Sequence, residues 1–449
     1  MLLIKKARLI DPESETDRIA DILTDGEIIG LIRENIDEKA LSEYAERSGS
    51  PECSPEDITV IDARGLICAP GLVDTHSHFR DPGFPHKEDI TSGSLAAAKG
   101  GYTTIVMMAN TNPPIDNETI LRDVLERGRK EPVHIYSAAN VTKGMSGREV
   151  SDLEELAAAG ALVFTDDGRP VLDGDILEQA LVRASALGIP VSLHEEDPRY
   201  ICENGINGAG NDASLSNEGT AAAYFGLKGS ARTAEISMIE RDLNIAVKTG
   251  AALLIQHIST AEGVDLVRKA KRLNPLIAAE ATPHHFSLTE EAVKRKGSLA
   301  KVNPPIRTER DRQAIIEGLC DGTIGIIATD HAPHAAFEKE MPLVKAPSGM
   351  TGLETSLSLG IKNLVQPGYL SMKEYLRCLT SAPAKYYKLP AGSAAEGSRA
   401  DLVLFDPEAQ WTVTENFASR SSNSPFIGET LPGVVRYTIA DGKIIYSGI

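Results

Sequence analysis

The chain predicts an α/β fold: a (β/α)8 TIM-like barrel beside a small β domain built from both chain ends. Three observations carry this reading. From about residue 65 onward, apolar β-rich runs alternate with Ala-, Glu- and Leu-rich stretches of helical period, as repeated βα units require. Eight such runs occur, the number that closes a barrel of parallel strands. The two chain ends have a different texture, with short strands punctuated by turn signals.

Taken in order, residues 1–65 are expected to form the first part of the β domain. Apolar stretches at 2–4 and 28–32 are separated by Asp-Pro and Asp-Gly turns, and the polar stretch 35–57 reads as a surface insertion. Residues 66–396 should form the barrel, with candidate strands at 67–74, 103–108, 133–139, 161–165, 190–193, 252–256, 276–281 and 324–329. Residues 397–449 return to the strand-and-turn style, with runs at 401–406 and 434–446 and an Asp441-Gly442 hairpin signal. No internal repeat or low-complexity tract interrupts the pattern.

Composition narrows the function. With 449 residues, 42% of them hydrophobic and 24% charged, the chain can bury a large core. A formal net charge of -18 argues against nucleic acid and against an anionic membrane, because both demand a basic face. An anionic small molecule stays admissible if positive groups gather at its site. No apolar run approaches the roughly 20 residues that span a bilayer, and Met1 to Lys6 leads into a strand pattern and not a signal peptide. The five cysteines, Cys53, Cys68, Cys202, Cys320 and Cys378, are scattered and show no redox or metal-ligand spacing. A cytoplasmic, reducing location is expected.

The chemistry gathers at strand ends. In Asp74-Thr-His76-Ser-His78-Phe-Arg80 the two histidines alternate along a strand, so they share a face, and His-x-His is a ready chelate for a borderline metal such as zinc. Alone, such a pair reads equally well as a hydrogen-bonded core pair. But His194, His257, Asp330 and the Asp166-Asp167 pair close other candidate strands, and in a barrel all those ends converge on one face. That is more ligand than a single catalytic zinc uses, so two ions sharing a carboxylate fit better, able to activate water and polarise a carbonyl together. Hydrolysis of an amide or related bond follows. Asp330 is the candidate proton carrier, acting as base and then acid; the alternative is that it serves only as a ligand or as an orienter of one.

The motifs His76-Ser-His-Phe-Arg-Asp-Pro-Gly83, Asn110-Thr-Asn-Pro-Pro114, Phe164-Thr-Asp-Asp-Gly168, His194-Glu-Glu-Asp197, His257-Ile-Ser-Thr260, Thr282-Pro-His-His285, Asn303-Pro-Pro-Ile-Arg307 and Thr329-Asp-His-Ala-Pro-His334 occur in this order. As a set they resemble the type I dihydroorotases of the amidohydrolase superfamily. The resemblance implies a zinc-dependent cyclic amidohydrolase that interconverts dihydroorotate and N-carbamoyl-aspartate, the third step of pyrimidine (UMP) synthesis. It implies two Zn2+ ions, one held by His76, His78 and Asp330 and the other by His194 and His257, with Asp167 bridging. Related hydantoinases bridge their metals with a carboxylated lysine at the fourth strand, where this chain has Thr165-Asp166-Asp167. Lys143 follows the third strand, so carboxylation there is the lesser alternative.

The resemblance also implies substrate contacts at Arg80, Asn110, Asn303 and His334. Arg80 offers a planar fork suited to a substrate carboxylate. The plain alternatives are a rim salt bridge for Arg80, turn stabilisation before prolines for the two asparagines, and an exposed loop position for His334. His284, His285 and His331 are assigned to packing or to supporting the ligands. The charged, Pro-rich segment 334–349 shows no helical or strand period and is expected to act as a lid, with Ser348 and Gly349 offering backbone groups to the ring. A hydantoinase or allantoinase is the alternative enzyme, and a non-catalytic homologue bound to aspartate transcarbamoylase the alternative of another class. A homodimer and association with aspartate transcarbamoylase stay open.

Overall fold

The computed structural model describes residues 1–48, 58–201, 220–227 and 229–448. Cys53, Cys202 and the 49–57 part of the expected insertion lie outside them. The part of that insertion inside them is not merely polar loop, since Glu38–Ser48 forms a helix that tucks Tyr44 under the sheet.

Among the described residues the strands form two eight-stranded sheets. One is the barrel: Leu72–Ser77, Tyr102–Met107, His134–Ala139, Val163–Phe164, Val191–Leu193, Leu253–Ile255, Ile277–Ala281 and Ile326–Ile327, each parallel to the next. Helices alternate with them and cover the outside. In Ala261–Lys271 the reason is readable residue by residue. Thr260 accepts from the Gly263 amide at 3.2 Å and caps the first turn, Ala261, Val264, Val267 and Ala270 form the buried face, and Arg268, Lys269 and Lys271 complement the C-terminal end of the dipole. Each buried valine there stabilises the wall by roughly 1.5–3 kcal/mol.

The other sheet joins the chain ends in the order Lys443–Ser447, Thr430–Ala440, Leu402–Thr412, Ile67–Pro70, Leu2–Asp11, Thr16–Asp25, Ile28–Arg33, with Thr59–Asp62 also paired to Leu2–Asp11. This corrects the expected first barrel strand. Residues 67–70 lie between the N-terminal and C-terminal strands of this second sheet, and the barrel strand begins only at Leu72. Gly71 is the crossing point: a Cβ there would stand 2.2 Å from Thr103 Oγ1, so only glycine lets the chain pass this close to the second barrel strand. His134, at the start of the third barrel strand, lies 3.0 Å from Asp401 Oδ2 and helps dock the two sheets.

Between the first and last barrel strands the seam is closed by side chains. Asp74 accepts from the Thr329 amide at 2.8 Å and from its hydroxyl at 2.6 Å. Beyond it Ser77 bridges His331, and the His78 amide donates to the His331 carbonyl at 2.8 Å. Burial pushes the Asp74 carboxyl up to about 6. No helix among the described residues is long and apolar enough to cross a membrane.

Asp74→Ala would strand two buried donors on Thr329, and leaving such groups unsatisfied costs about 1–3 kcal/mol each. The expected loss is about 2–4 kcal/mol in urea unfolding; a loss below about 1 kcal/mol would show that the seam does not depend on this carboxylate.

Candidate active site

The strand ends deliver the expected side chains to one place. His76 and His78 end the first barrel strand with ring centroids 5.3 Å apart. Asp167 follows the fourth strand, His194 the fifth, His257 the sixth and Asp330 the eighth, and all six are buried. Three of them or their neighbours hold backbone in the left-handed region that favours glycine: Arg80 at φ 57°, His257 at 29° and Asp330 at 45°. Such conformations cost of order 1–3 kcal/mol each and persist only where surrounding contacts impose them.

Asp167 is the focus. Its carboxylate oxygens lie 3.6 Å from His76 Nε2, 3.5 Å from His78 Nε2, and 3.8 Å from both His194 Nδ1 and His257 Nε2. On one side, Asp330 Oδ1 lies 3.0 Å from His78 Nε2 and 3.7 Å from His76 Nε2. On the other, His194 Nδ1 and His257 Nε2 stand 3.0 Å apart. The donors therefore fall into two groups, His76 with His78 and Asp167, and His194 with His257 and Asp167. Asp166 is turned away, accepting from the Thr142 amide at 3.2 Å and from the Thr142 hydroxyl.

The rings are held with lone pairs facing inward. His76 Nδ1 donates to Glu280 Oε1 at 2.6 Å, His78 Nδ1 to Asn110 Oδ1 at 2.9 Å, and His194 Nε2 to Glu196 Oε2 at 3.1 Å. Each outward proton assigns the inward nitrogen as an acceptor. His76 Nε2 is buried with no hydrogen-bond partner. Donors about 2.0–2.1 Å from a tetrahedral ion stand roughly 3.3–3.5 Å from one another, and the separations here, from 3.0 to 3.8 Å, bracket that spacing. A set of imidazole nitrogens and carboxylate oxygens without thiolate suits divalent zinc or a similar ion.

The electrostatics ask for a cation as well. Burial alone would lower the basicity of His76, yet the Glu280 and Asp167 carboxylates outweigh it and raise the ring well above its ordinary value. Burial would raise Asp167, but the charges of His76 and His78 beside it hold it well below the carboxylate range. Asp330 is lowered in the same way, against burial, by its bond to His78 and by the charges of His76 and His78. A divalent ion supplies the positive charge that the two carboxylates otherwise draw from a proton.

A cavity of about 140 Å³ opens onto this cluster, lined among others by Arg80, Asn303, Ser348 and Gly349. Arg80 donates to the Pro333 carbonyl at 3.3 Å, and burial lowers its guanidinium. Asn110 lines the cavity too, but its side chain is engaged with the cluster, bonding His78 as above and donating to Asp167 Oδ2 at 2.8 Å. His334 is buried, contrary to the exposed-loop alternative. Its Nε2–H donates to the Ser348 carbonyl at 2.8 Å and its Nδ1 faces Lys87 Nζ at 3.3 Å. An ammonium can only donate, so Lys87 selects that tautomer. Burial and the charges of Arg80 and Lys87 keep the ring neutral. Asn303 Oδ1 accepts from Ser348 Oγ at 3.1 Å.

The other histidines support this arrangement. His285 bonds Thr282 Oγ1 and the Pro304 carbonyl, and His331 lies 3.3 Å from Glu88. Lys143 is exposed and paired with Glu149, far from a bridging role. Sequence reasoning gave no role to Glu280, Glu196, Glu88 or Lys87. Glu280 carried a usable signal: it is the one charged residue in the Ile277–Ala281 strand, at the end where the site forms.

The amidohydrolase family model matches residues 67–445. A dihydroorotase of Clostridioides difficile is 48% identical over 447 residues, covering 100% of both chains. One of Streptococcus pyogenes is 49% identical over 447 residues, covering 99% of this chain and 100% of its own. Among solved structures, the L-hydantoinase (dihydropyrimidinase) of Arthrobacter aurescens superposes with a TM-score of 0.85 at 25% identity, covering 99% of this chain and 96% of its own.

Removing the carboxylate that orients His76 should loosen any ion held there. Glu280→Gln is expected to weaken divalent-ion affinity about 10–100-fold, read by chelator competition. Unchanged affinity would show that Glu280 does not orient a ligand.

Proposed function

The chain belongs to the amidohydrolase family, and on that premise we propose that it is a dihydroorotase, reversibly hydrolysing dihydroorotate to N-carbamoyl-aspartate. The observation that carries the reading is the single carboxylate, Asp167, placed between two sets of inward-facing imidazoles beside a small cavity with a buried arginine. The full-length identity to dihydroorotases supports the choice of substrate.

In this reading His76, His78 and Asp330 would hold one zinc ion and His194 and His257 the other, with Asp167 available to both. Bound there, the metals supply a water made acidic at neutral pH and Lewis-acid polarisation of the ring amide. The protein's own groups do the rest. Arg80 binds the ring carboxylate with its fork, and Asn303 with the Ser348–Gly349 backbone seats the ring. Asn110 keeps His78 and Asp167 aligned. Asp330, ionised at neutral pH, takes a proton on its carboxylate from the attacking water and passes it to the departing ring nitrogen. Ring closure runs the same transfers backwards.

A hydantoinase or allantoinase would share the fold but would have less use for a buried guanidinium facing the cavity. A non-catalytic homologue would be expected to have lost ligand residues, and all six are present and gathered.

Turnover of dihydroorotate, hydantoin and allantoin by the metal-loaded protein tests the reading. Dihydroorotate should be strongly preferred, and equal or better hydrolysis of hydantoin would overturn it. Asp330→Asn should lower kcat by about 10²–10⁴-fold with KM little changed, the loss expected when a proton carrier is removed. Retention of more than about a tenth of kcat would remove its assigned role.

A further inference from the structure

The segment 334–349 contains a helix that its sequence pattern does not predict, Ala336–Lys339, started by Glu338 accepting from the Ala335 amide at 3.0 Å. From there to Gly349 the chain has neither strand nor helix. Apart from a turn at Pro342 and the Gly349 amide, few backbone bonds hold it against the cavity, so most of its carbonyls are met by side chains.

Two buried lysines meet them. Lys301 is 1% exposed; its Nζ donates to the carbonyls of Leu343 at 2.7 Å and Ala346 at 2.6 Å, while its own carbonyl accepts from the Gly349 amide at 2.8 Å. Lys339 is 6% exposed and donates to the carbonyls of Pro347 and Gly349, both at 2.9 Å. Every hydrogen bond from these two ammonium groups, among the described residues, runs to a backbone carbonyl of residues 343–349. Burying an ammonium without a bonded carboxylate is costly, and burial pushes Lys301 down to about 8 and Lys339, with Lys301 nearby, to about 7.

What the lysines hold is the wall of the substrate cavity. Lys301 lies two residues before Asn303, which bonds Ser348 across the cavity. At Gly349, φ is 128°, and a Cβ would stand 2.7 Å from the Ala332 Cβ, so the segment is pressed against the loop that follows Asp330.

We propose that Lys301 and Lys339 are positioning residues for substrate binding. Their ammonium-to-carbonyl bonds set residues 340–349 as a fixed strap that holds Ser348 and Gly349 where the substrate ring docks. This differs from a lid that opens and closes. It rests on the cyclic-amide reading above, since the strap bears on turnover only if Ser348 and Gly349 face the substrate.

The test is Lys339→Gln in the full-length, metal-loaded protein, with Lys339→Cys before and after aminoethylation, which restores an ammonium at lysine length. Wild type treated with the same reagent is the control. Misplacing a docking surface that binds ground state and transition state alike should raise KM for dihydroorotate roughly ten-fold or more and leave kcat within about three-fold. Hydrogen exchange in the peptides spanning 340–349 should rise, and aminoethylation should return both KM and exchange toward wild type. If KM stays within about two-fold of wild type, or if kcat falls with no change in KM, the proposal is overturned. A wild-type protein that does not turn over dihydroorotate sinks the functional reading instead, and the exchange measurement still reports whether Lys339 ties the strap.

Discussion

The structure turns on the charge concentrated at Asp167. One carboxylate meets four imidazoles, each within 3.8 Å, in a place from which water is largely excluded. In so low a dielectric, the Asp167 carboxylate and the His76, His78 and His194 rings depart from their ordinary proton affinities, and the cluster is stable only when opposite charges stand against each other. That requirement explains why the residues around it are so exacting. Glu280, Asn110 and Glu196 each take one ring nitrogen and so decide which way the other points. Without them the same four histidines could pair with each other and fill their own cavity.

The barrel is what makes this concentration of charge affordable to the fold. Strand ends are rigid, and residues on them have little freedom to relax away from one another. The seam between the first and eighth strands is part of the same device. Asp74 ties Thr329 two residues before His76, and Asp330 follows Thr329 directly, so the bond that closes the barrel also sets the distance from the first histidine pair to Asp330. A structural carboxylate and a site carboxylate are thus placed by one connection.

How much of this was legible from sequence follows from the range of each interaction. The parity of His76 and His78 is local, and their convergence with His194, His257 and Asp330 follows from barrel geometry once the strands are counted. The start of the first strand was misplaced because 67–70 and 72–77 are both apolar and β-rich, and only pairing with residues 402–405 assigns the former to the other sheet. The helix at 38–48 lay unmarked inside the stretch read as a polar surface insertion, since Tyr44 is the one residue on it that is buried. Asn110 was legible as a site residue from its position, while its bonds to His78 and Asp167 were not. Lys87, Lys301 and Lys339 carried no signal at all: a lysine in a polar stretch reads as solvated, and these three act on groups 8 to 247 residues away.

One buried cation bears on an apparent conflict between bulk charge and an anionic substrate. A chain with net charge -18 should repel an anion at long range. At the cavity, however, Arg80 lines the wall together with Asn303, Ser348 and Gly349, while the carboxylates of Asp167 and Asp330 stand against the imidazoles. Screening in salt confines the bulk field to roughly 8–10 Å, so what a bound anion feels is this local separation. In the proposed reading Arg80 takes the substrate carboxylate, and that orientation turns the ring amide toward Asp330. On that reading, recognition of the charged group and alignment of the reacting bond follow from one asymmetry in the site, which uncharged cyclic amides would have no group to exploit.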